Sequence, residues 1–408
     1  MSVDKFQQQG AENGHGPTIT DHDDSNGKLV LEEDSVATPT LTVVMPTLNE
    51  EEGIAECIER IQNAFQNLGV QGEILVSDSS TDQTPEIARE MGAIVVEPDQ
   101  PGYGYAYQYA FERARGEYIA IGDADTTYDF EELPKLYDLV ADGDADMAMG
   151  SRLEGDILPG SMPKLHQYVG NPGLTAFLNA FYGAGVSDAH SGMRVISKDA
   201  LEQLDLKTDG MEFASEMIME AGAQDLTIEE VPITYHPREG EATLESFSDG
   251  WRHVRFMLVN APGYLYSVPG LVMSLLGLLT IGVAFSSLNV GGVTLGPHSM
   301  VAGGLMLIVG YQVASLGAFA RVAGNPIRKP DDPITNWVLE RVNLERGVTI
   351  GAAVFLAGAA YTVYLFSQWV LSGFTTLPMF TGDVLAFTAM VLGVQVVFSA
   401  FFLSTINN

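Results

Sequence analysis

Short apolar runs alternate with amphipathic stretches from Leu41 to Ser151. Leu41–Met45 (LTVVM) has the composition of a buried strand, and 51–65 carries Ile54, Ile58, Ile61 and Phe65 at helical spacing. Glu73–Asp78 predicts a second strand, Pro85–Met91 a helix, and 93–97 (AIVVE) a third strand. Tyr103–Ala114 predicts a helix, Tyr118–Asp123 a fourth strand, Leu133–Val140 a helix, and Ala145–Ser151 a fifth strand. Apolar strands alternating with helices imply an α/β fold with an open, mostly parallel sheet covered on both faces. Ligands of such sheets bind beyond the carboxyl ends of the strands.

After Arg255 the pattern changes. Four windows, Val268–Leu288, Met300–Phe319, Thr349–Leu371 and Val384–Thr405, contain no Lys, Arg, Asp or Glu. A bilayer-spanning helix needs about 20 apolar residues. A charged group there costs roughly 2.5–3.5 kcal/mol on insertion scales. Buried helices of a soluble domain would show a polar face opposite the apolar one, and none of the four does. The expected organisation is therefore a disordered acidic tail over 1–40, an α/β domain over 41–245, a linking helix over 246–260, and a four-helix membrane domain over 261–408.

Charge follows the same division. The chain of 408 residues has a net charge of −33. Residues 1–255 hold 15 Lys and Arg against 48 Asp and Glu, and residues 256–408 hold five of each. So acidic a chain lacks the basic face of a nucleic-acid binder, and one cysteine rules out an intramolecular disulfide. The acidic residues are dispersed, which favours a carboxylate-covered surface of the halophilic kind over a single cation site, with stability expected to rise with KCl. Arg321, Arg328, Lys329, Arg341 and Arg346 lie between the second and third windows, while 289–299 and 372–383 carry no Lys or Arg. The positive-inside rule places the basic loop, both termini and the acidic domain in the cytoplasm. No apolar stretch of signal-peptide length precedes the domain.

Three predicted strand ends bear polar groups: Pro46-Thr47-Leu48-Asn49-Glu50, Asp78-Ser79-Ser80-Thr81-Asp82 and Asp123-Ala124-Asp125. Such groups suit a ribose, a base edge and a metal ion. The glycine loops of P-loop and dinucleotide-binding proteins are absent. Two carboxylates one residue apart at a turn can both approach one hard divalent cation, which neutralises a diphosphate and assists its departure. On its own the triplet is a weak motif that also suits a turn or helix cap; its place after an apolar strand, with two more polar strand ends before it, favours the cation reading.

Seven segments in order carry a resemblance: VVMPTLNEEEGI, VSDSSTDQT, ARGEYIAIGDAD, MGSR, DAHSGMRVISKDAL, MEFASEM and EVPITYHPREGEATLESFSDGWRH. Residues 41–255 resemble the family-2 glycosyltransferases, more narrowly the polyprenyl-phosphate (dolichyl-phosphate) glucosyl- and mannosyltransferases. The resemblance implies a nucleotide-sugar-binding sheet of the GT-A type. It also implies inverting transfer of a hexose from UDP-glucose or GDP-mannose to a dolichyl or polyprenyl phosphate, with Mg2+ or Mn2+, in protein or lipid glycosylation. By that resemblance Pro46, Asn49 and Glu50 line the nucleotide pocket and Asp78 contacts the base. Asp123 and Asp125 match the metal and diphosphate pair, with Asp125 the favoured direct ligand, and Arg152 lies on the phosphate side. Ser191-Gly192-Met193-Arg194 matches a Ser-Gly-aromatic-Arg segment with Met in the aromatic place. Three departures concern the donor: Ser77-Asp78 where two acidic residues are common, Thr126-Thr127 where Leu-Gln is common, and Thr243 where Lys is frequent.

An anionic lipid phosphate needs positioning more than deprotonation, and arginine forks suit phosphate oxygens. Arg152, Lys164, Arg194 and Arg238 are the candidates, against the alternative of exposed solubilising charges. Glu212 and Glu216 share one helix face and either orient sugar hydroxyls or act as a weak base, or are ordinary helix carboxylates. His166, His190, His236 and His253 lack metal-site spacing and read as structural or pocket-lining; Cys57 reads as core. In 246–259, Phe247, Trp251, Val254 and Leu258 recur at helical spacing beside Arg252, His253 and Arg255. That is the pattern of a helix lying on the cytoplasmic leaflet, with packing on the sheet the alternative. Two competing functions remain: a processive polysaccharide synthase, whose Gln-x-x-Arg-Trp motif is absent, and a catalytically idle lipid-binding membrane protein.

Overall fold

The computed structural model describes residues 29–239, 246–286, 289–290, 293–323, 333–341, 343–376 and 380–406. Arg328, Lys329 and Thr243, and the side chain of Phe247, lie outside the described residues. In chain order the α/β part comprises β1 (Leu41–Thr47), α1 (Ile54–Leu68), β2 (Gly72–Asp78), α2 (Thr84–Glu90), β3 (Ile94–Val96), α3 (Tyr103–Phe111), β4 (Tyr118–Ile121), α4 (Leu133–Ala141) and β5 (Met147–Ile157). It continues through α5 (Asn171–Tyr182), β6 (Arg194–Ser197), α6 (Lys198–Leu201), α7 (Phe213–Ala223), β7 (Ile228–Tyr235) and α8 (Ser246–Asn260).

The seven strands form one sheet in the order β3-β2-β1-β4-β6-β5-β7. Strands β3, β2, β1 and β4 run parallel, β6 runs antiparallel between β4 and β5, and β5 pairs parallel with β7. Successive residues of β1 feed opposite faces, as strand geometry requires. Val43 and Met45 join Ile54, Ile58, Ile61 and Phe65 of α1 on one side. Val44 joins Tyr107, Phe213, Met217 and Met257 on the other. In register, Thr47 lies opposite Asp78 and Val44 opposite Ile121, so the carboxyl ends of β1, β2 and β4 meet at one edge.

Two expectations need revision. The tail does not extend to residue 40: Val30 bridges Gly72, Leu31 is buried, and the Leu31 and Thr40 amides donate to carbonyls of Gly72 and Gln71. Arg115 clamps this segment, donating to the carbonyls of Glu32, Glu33 and Ser35 while paired with the buried Glu73. Strands β6 and β7 were absent from the predicted pattern.

Beyond α8 come α9 (Val268–Ser286), a short β8–β9 hairpin (Asn289–Val290, Val293–Thr294), α10 (Pro297–Val322), α11 (Pro333–Arg341), α12 (Leu344–Leu371) and α13 (Phe380–Ile406). Four segments, Gly263–Ser286, Pro297–Val322, Leu344–Leu371 and Phe380–Ile406, are long and apolar enough to cross a bilayer. Helix α9 packs on α10, α12 on α13, and α13 on α10. The α9–α10 and α12–α13 pairs touch backbone to backbone at glycines. A Cβ on Gly277 would lie 2.7 Å from the Gly303 carbonyl, and one on Gly351 2.7 Å from that of Gly393. Small residues let spanning helices approach this closely where the lipid supplies no hydrophobic drive.

Candidate active site

The three polar strand ends converge. Two of their turns hold non-glycine residues in the left-handed region, Asn49 at φ 59° and Thr126 at φ 63°. Such conformations persist only where surroundings over-determine them. For Asn49 the surroundings are β2's loop: its backbone N–H donates to Ser80 Oγ at 2.7 Å, and its side-chain oxygen accepts from the Thr81 amide at 2.9 Å. For Thr126 they are α1's approach. A Cβ on Gly53 would sit 2.8 Å from the Ala124 carbonyl and 3.2 Å from Thr126 Cγ2, so only glycine lets the chain press on the Asp-Ala-Asp turn. The Cys57 thiol lies beneath the same turn, pushed up to about 12 by burial, against an opposing hydrogen bond from the Thr126 backbone.

Asp78 is buried and ties the end of β1 to its own loop: its Oδ1 accepts from Thr47 Oγ1 at 2.7 Å and Ser80 Oγ at 2.6 Å. Asp125, 8% exposed, accepts on Oδ1 from the Thr127 amide at 3.1 Å and the Thr127 hydroxyl at 2.5 Å. Its Oδ2 lies 3.3 Å from Arg238 Nη1. The same guanidinium reaches Glu50 Oε1 at 2.6 Å through Nη2. Burial drives Glu50 up to about 7, with Arg238 opposing and the charges of Asp125 and Asp123 adding. Asp123 is raised to about 6, first by burial and then by the Asp125 charge, although Tyr103 Oη donates to its Oδ1 at 2.8 Å. Its other oxygen faces Gly192, where a Cβ would come within 3.0 Å. Tyr128 Oη accepts from the Gly192 amide at 2.6 Å and fixes that contact.

Among the described residues no three His, Cys, Asp or Glu side chains form a metal cage. Two carboxylates close enough for the Asp125 charge to raise Asp123 nevertheless fit a Mg2+ or Mn2+ ion that would take its remaining ligands from a diphosphate and water. Buried polar atoms without partners lie at the same edge, among them Ser191 Oγ, Arg238 Nε and His236 Nε2. Such orphans in a folded domain call for a ligand or water.

The structure gathers Asn49, Glu50, Asp78, Asp123, Asp125 and Arg238 at this edge, with Pro46 on β1 leading into it. Other expected residues serve elsewhere. Arg194 is 1% exposed, its Nε and Nη2 donating to the carbonyls of Ser191 at 3.0 Å and Ala189 at 3.1 Å. It supports the loop over Asp123 from below and is not open to an acceptor phosphate. Arg152 is likewise committed, in a buried two-point pair with Asp188 at 2.7 and 2.9 Å and over the Tyr235 ring at 5.2 Å. Glu216 is fully buried, its oxygens accepting from the amides of Lys207 and Thr208 and the Thr208 hydroxyl. Burial raises its carboxyl despite those bonds, and the free carboxylate expected of a base is not there. Glu212 precedes α7 and lies 3.5 Å from Arg252 of α8. Lys164 is exposed on the connection between β5 and α5.

Sequence reasoning missed Tyr103, Tyr128 and Asp188. Asp188 lay inside a recognised segment, and its own loop is anchored by Glu230, which accepts from the Asp188 amide at 3.0 Å. The aromatic run around Tyr103 was a visible signal; its contact with Asp123 was not.

The chain matches the Glycosyl transferase family 2 model over residues 42–205 and the Glycosyltransferase family 2 C-terminal transmembrane region over 318–407. It is 61% identical over 400 residues to the low-salt glycan biosynthesis hexosyltransferase Agl6 of Haloferax volcanii, covering 98% of this chain and 96% of that protein. It is 34% identical over 210 residues to a dolichyl-phosphate hexose transferase of the same organism, covering 52% and 89%. Glucosyl-3-phosphoglycerate synthase of Mycobacterium tuberculosis, crystallised with Mn2+, uridine diphosphate and glucosyl-3-phosphoglycerate, aligns at TM-score 0.45 and 22% identity, covering 60% of this chain and 85% of that one. The acidic strand-end cluster and its spanning helices thus belong to a family-2 glycosyltransferase, an enzyme built as a multi-pass membrane protein.

Proposed function

We propose that this enzyme transfers a hexose, with inversion, from a nucleotide sugar such as UDP-glucose or GDP-mannose to a dolichyl or polyprenyl phosphate on the cytoplasmic face of the membrane, feeding glycan assembly. The carrying observation is the convergence of Asp78, Asp123, Asp125, Glu50 and Arg238 at the carboxyl edge of β1, β2 and β4. The similarity to a dolichyl-phosphate hexose transferase over the soluble domain supports the lipid acceptor.

Under this reading the Asn49 and Asp78 loops bind the nucleoside. Asp125 and Asp123 hold a divalent cation that, when bound, neutralises the leaving diphosphate. Tyr103, Thr127 and Gly192 fix the two carboxylates so that neither reorganises as charge develops. Arg238, with 26% of its side chain exposed, bridges Glu50 and Asp125 and is positioned to turn toward phosphate oxygens. The acceptor phosphate arrives ionised, so no base is required of Glu216, and bringing the reactants together supplies much of the rate.

Helix α8 provides the height. His253, Met257 and Asn260 face the domain and are buried, while Trp251 and Val259 are 61% and 55% exposed. One face thus packs on the domain, and in this reading the other, with its exposed apolar and arginine side chains, lies against the leaflet from which Gly263–Ser286 departs. The test is incubation of membranes containing the protein with a panel of labelled nucleotide sugars. A chloroform-soluble labelled lipid is expected. An insoluble polymer would instead favour a polysaccharide synthase, and no product an idle lipid-binding protein.

A further inference from the structure

Ser215, in the middle of α7, is fully buried and lies between two imidazoles. Its Oγ is 3.1 Å from His190 Nε2 and 3.0 Å from His253 Nδ1. The two rings stand edge to face, 4.9 Å between centroids. His190 Nδ1 is buried with no partner. Burial, reinforced by the His253 ring, pulls His190 down to about 3, so its imidazole is neutral. A bare nitrogen lone pair is the tolerable orphan, since a buried N–H without an acceptor loses a strong donor bond. That fixes the direction: His190 donates from Nε2 to Ser215 Oγ, and Ser215 donates to His253 Nδ1.

The ends of this chain matter more than its middle. His190 lies between Asp188, paired with Arg152, and Gly192, which abuts Asp123. His253 lies on α8, whose Met257 is buried in the core of the catalytic domain and whose last turn runs into the first membrane span. We infer that His253, Ser215 and His190 are positioning residues that set the 188–194 loop against Asp123 from the seat of α8, so that the membrane-linked helix aligns the transfer site. Ser215 is no nucleophile, being sealed from solvent, and neither histidine touches the pocket carboxylates. The inference rests on the proposed transferase reading for its kinetic readout, and on geometry alone for its structural one.

The test uses the full-length protein in lipid nanodiscs. Ser215→Ala and His253→Ala should each lower kcat about tenfold, the scale of a modest misplacement remote from the chemistry, with donor KM near wild type and a lower thermal midpoint, because each leaves a buried polar partner stranded. His253→Asn, whose side-chain amide occupies the Nδ1 position, should restore most of the rate. The Ser215→Ala/His253→Ala double variant should be no worse than either single, as members of one chain behave. Multiplicative losses, or an asparagine variant no better than alanine, would overturn the inference. Hydrogen exchange supplies a readout independent of turnover: amides of 188–194 should exchange faster in His253→Ala, and unchanged exchange would also overturn it. If the wild-type protein makes no glycolipid from any donor, the transferase reading fails while exchange still decides this one.

Discussion

The catalytic domain and the membrane domain are both held by close contacts, made of opposite materials. Around the Asp-Ala-Asp turn the contacts are polar: Thr127 and Arg238 on Asp125, Tyr103 on Asp123, Asp188 on Arg152. Between the spans they are bare backbone, with Gly277 on Gly303 and Gly351 on Gly393. Water explains the difference. A soluble domain can bury a carboxylate if each oxygen finds a donor. A segment in hydrocarbon has only van der Waals packing and scattered side-chain bonds with which to join its neighbour. The catalytic domain should therefore be sensitive to charge at constant shape, and the membrane domain to shape at constant charge.

The largest expected effect follows from removing one charge. Asp125→Asn keeps the volume of the turn and the acceptor for Thr127, but removes the negative charge that faces Arg238 and, in the proposed function, would hold a divalent cation. Transfer should fall by about 100-fold or more, the range for deleting one preorganised electrostatic contact, with the unfolding midpoint little changed. Full activity with Mg2+ or Mn2+ supplied would contradict the metal role of this residue.

The complementary change is Gly277→Leu. Its Cβ would lie 2.6 Å from Leu307 N and 2.7 Å from the Gly303 carbonyl, so α9 and α10 must separate. Overpacking of this kind costs about 1–3 kcal/mol. The midpoint for unfolding in mild detergent should drop, while nucleotide binding by the catalytic domain survives. A midpoint equal to wild type would mean that the two helices do not meet at this glycine.

The two regions also differed in how far the sequence revealed them. The spans and the alternation from β1 to β5 are visible because period and length are local properties. The strand β6 is four residues inside a functional segment, and it pairs antiparallel between β4 and β5, so nothing in its own pattern announces it. β7 contains Pro232, which weakens its strand signal. At the site, Asp123 and Asp125 were legible because their triplet follows an apolar strand and two other strand ends are polar as well. Arg194 and Arg152 were misjudged because a sequence shows a charge but not its burial. Their partners, Ala189, Ser191 and Asp188, come from a loop that the sheet folds over them. Tyr103 reaches Asp123 from α3, a helix that packs on β1 and β2, so the contact depends on how the chain folds over the sheet.

The smallest expected effect separates the regions by pH. Glu50 is raised in the folded protein to about 7 from an ordinary 4.5, so the folded state holds its proton more tightly than the unfolded chain does. Its contribution to stability is then fully present below about pH 4.5 and is lost as pH rises through about 7. Glu50→Gln removes that dependence. Between pH 5 and pH 8 the wild-type midpoint should fall more than the variant's, by the equivalent of about 1 kcal/mol once solvent screening is allowed for. Asp123, Glu216 and Glu230, all raised in the same direction, keep a residual slope in both proteins. Asp383 is the only acidic side chain after Arg346, so the slope should report on the catalytic domain. A variant that loses stability more steeply than wild type over this range would reverse the sign, and would mean that Arg238 holds Glu50 ionised in the folded protein.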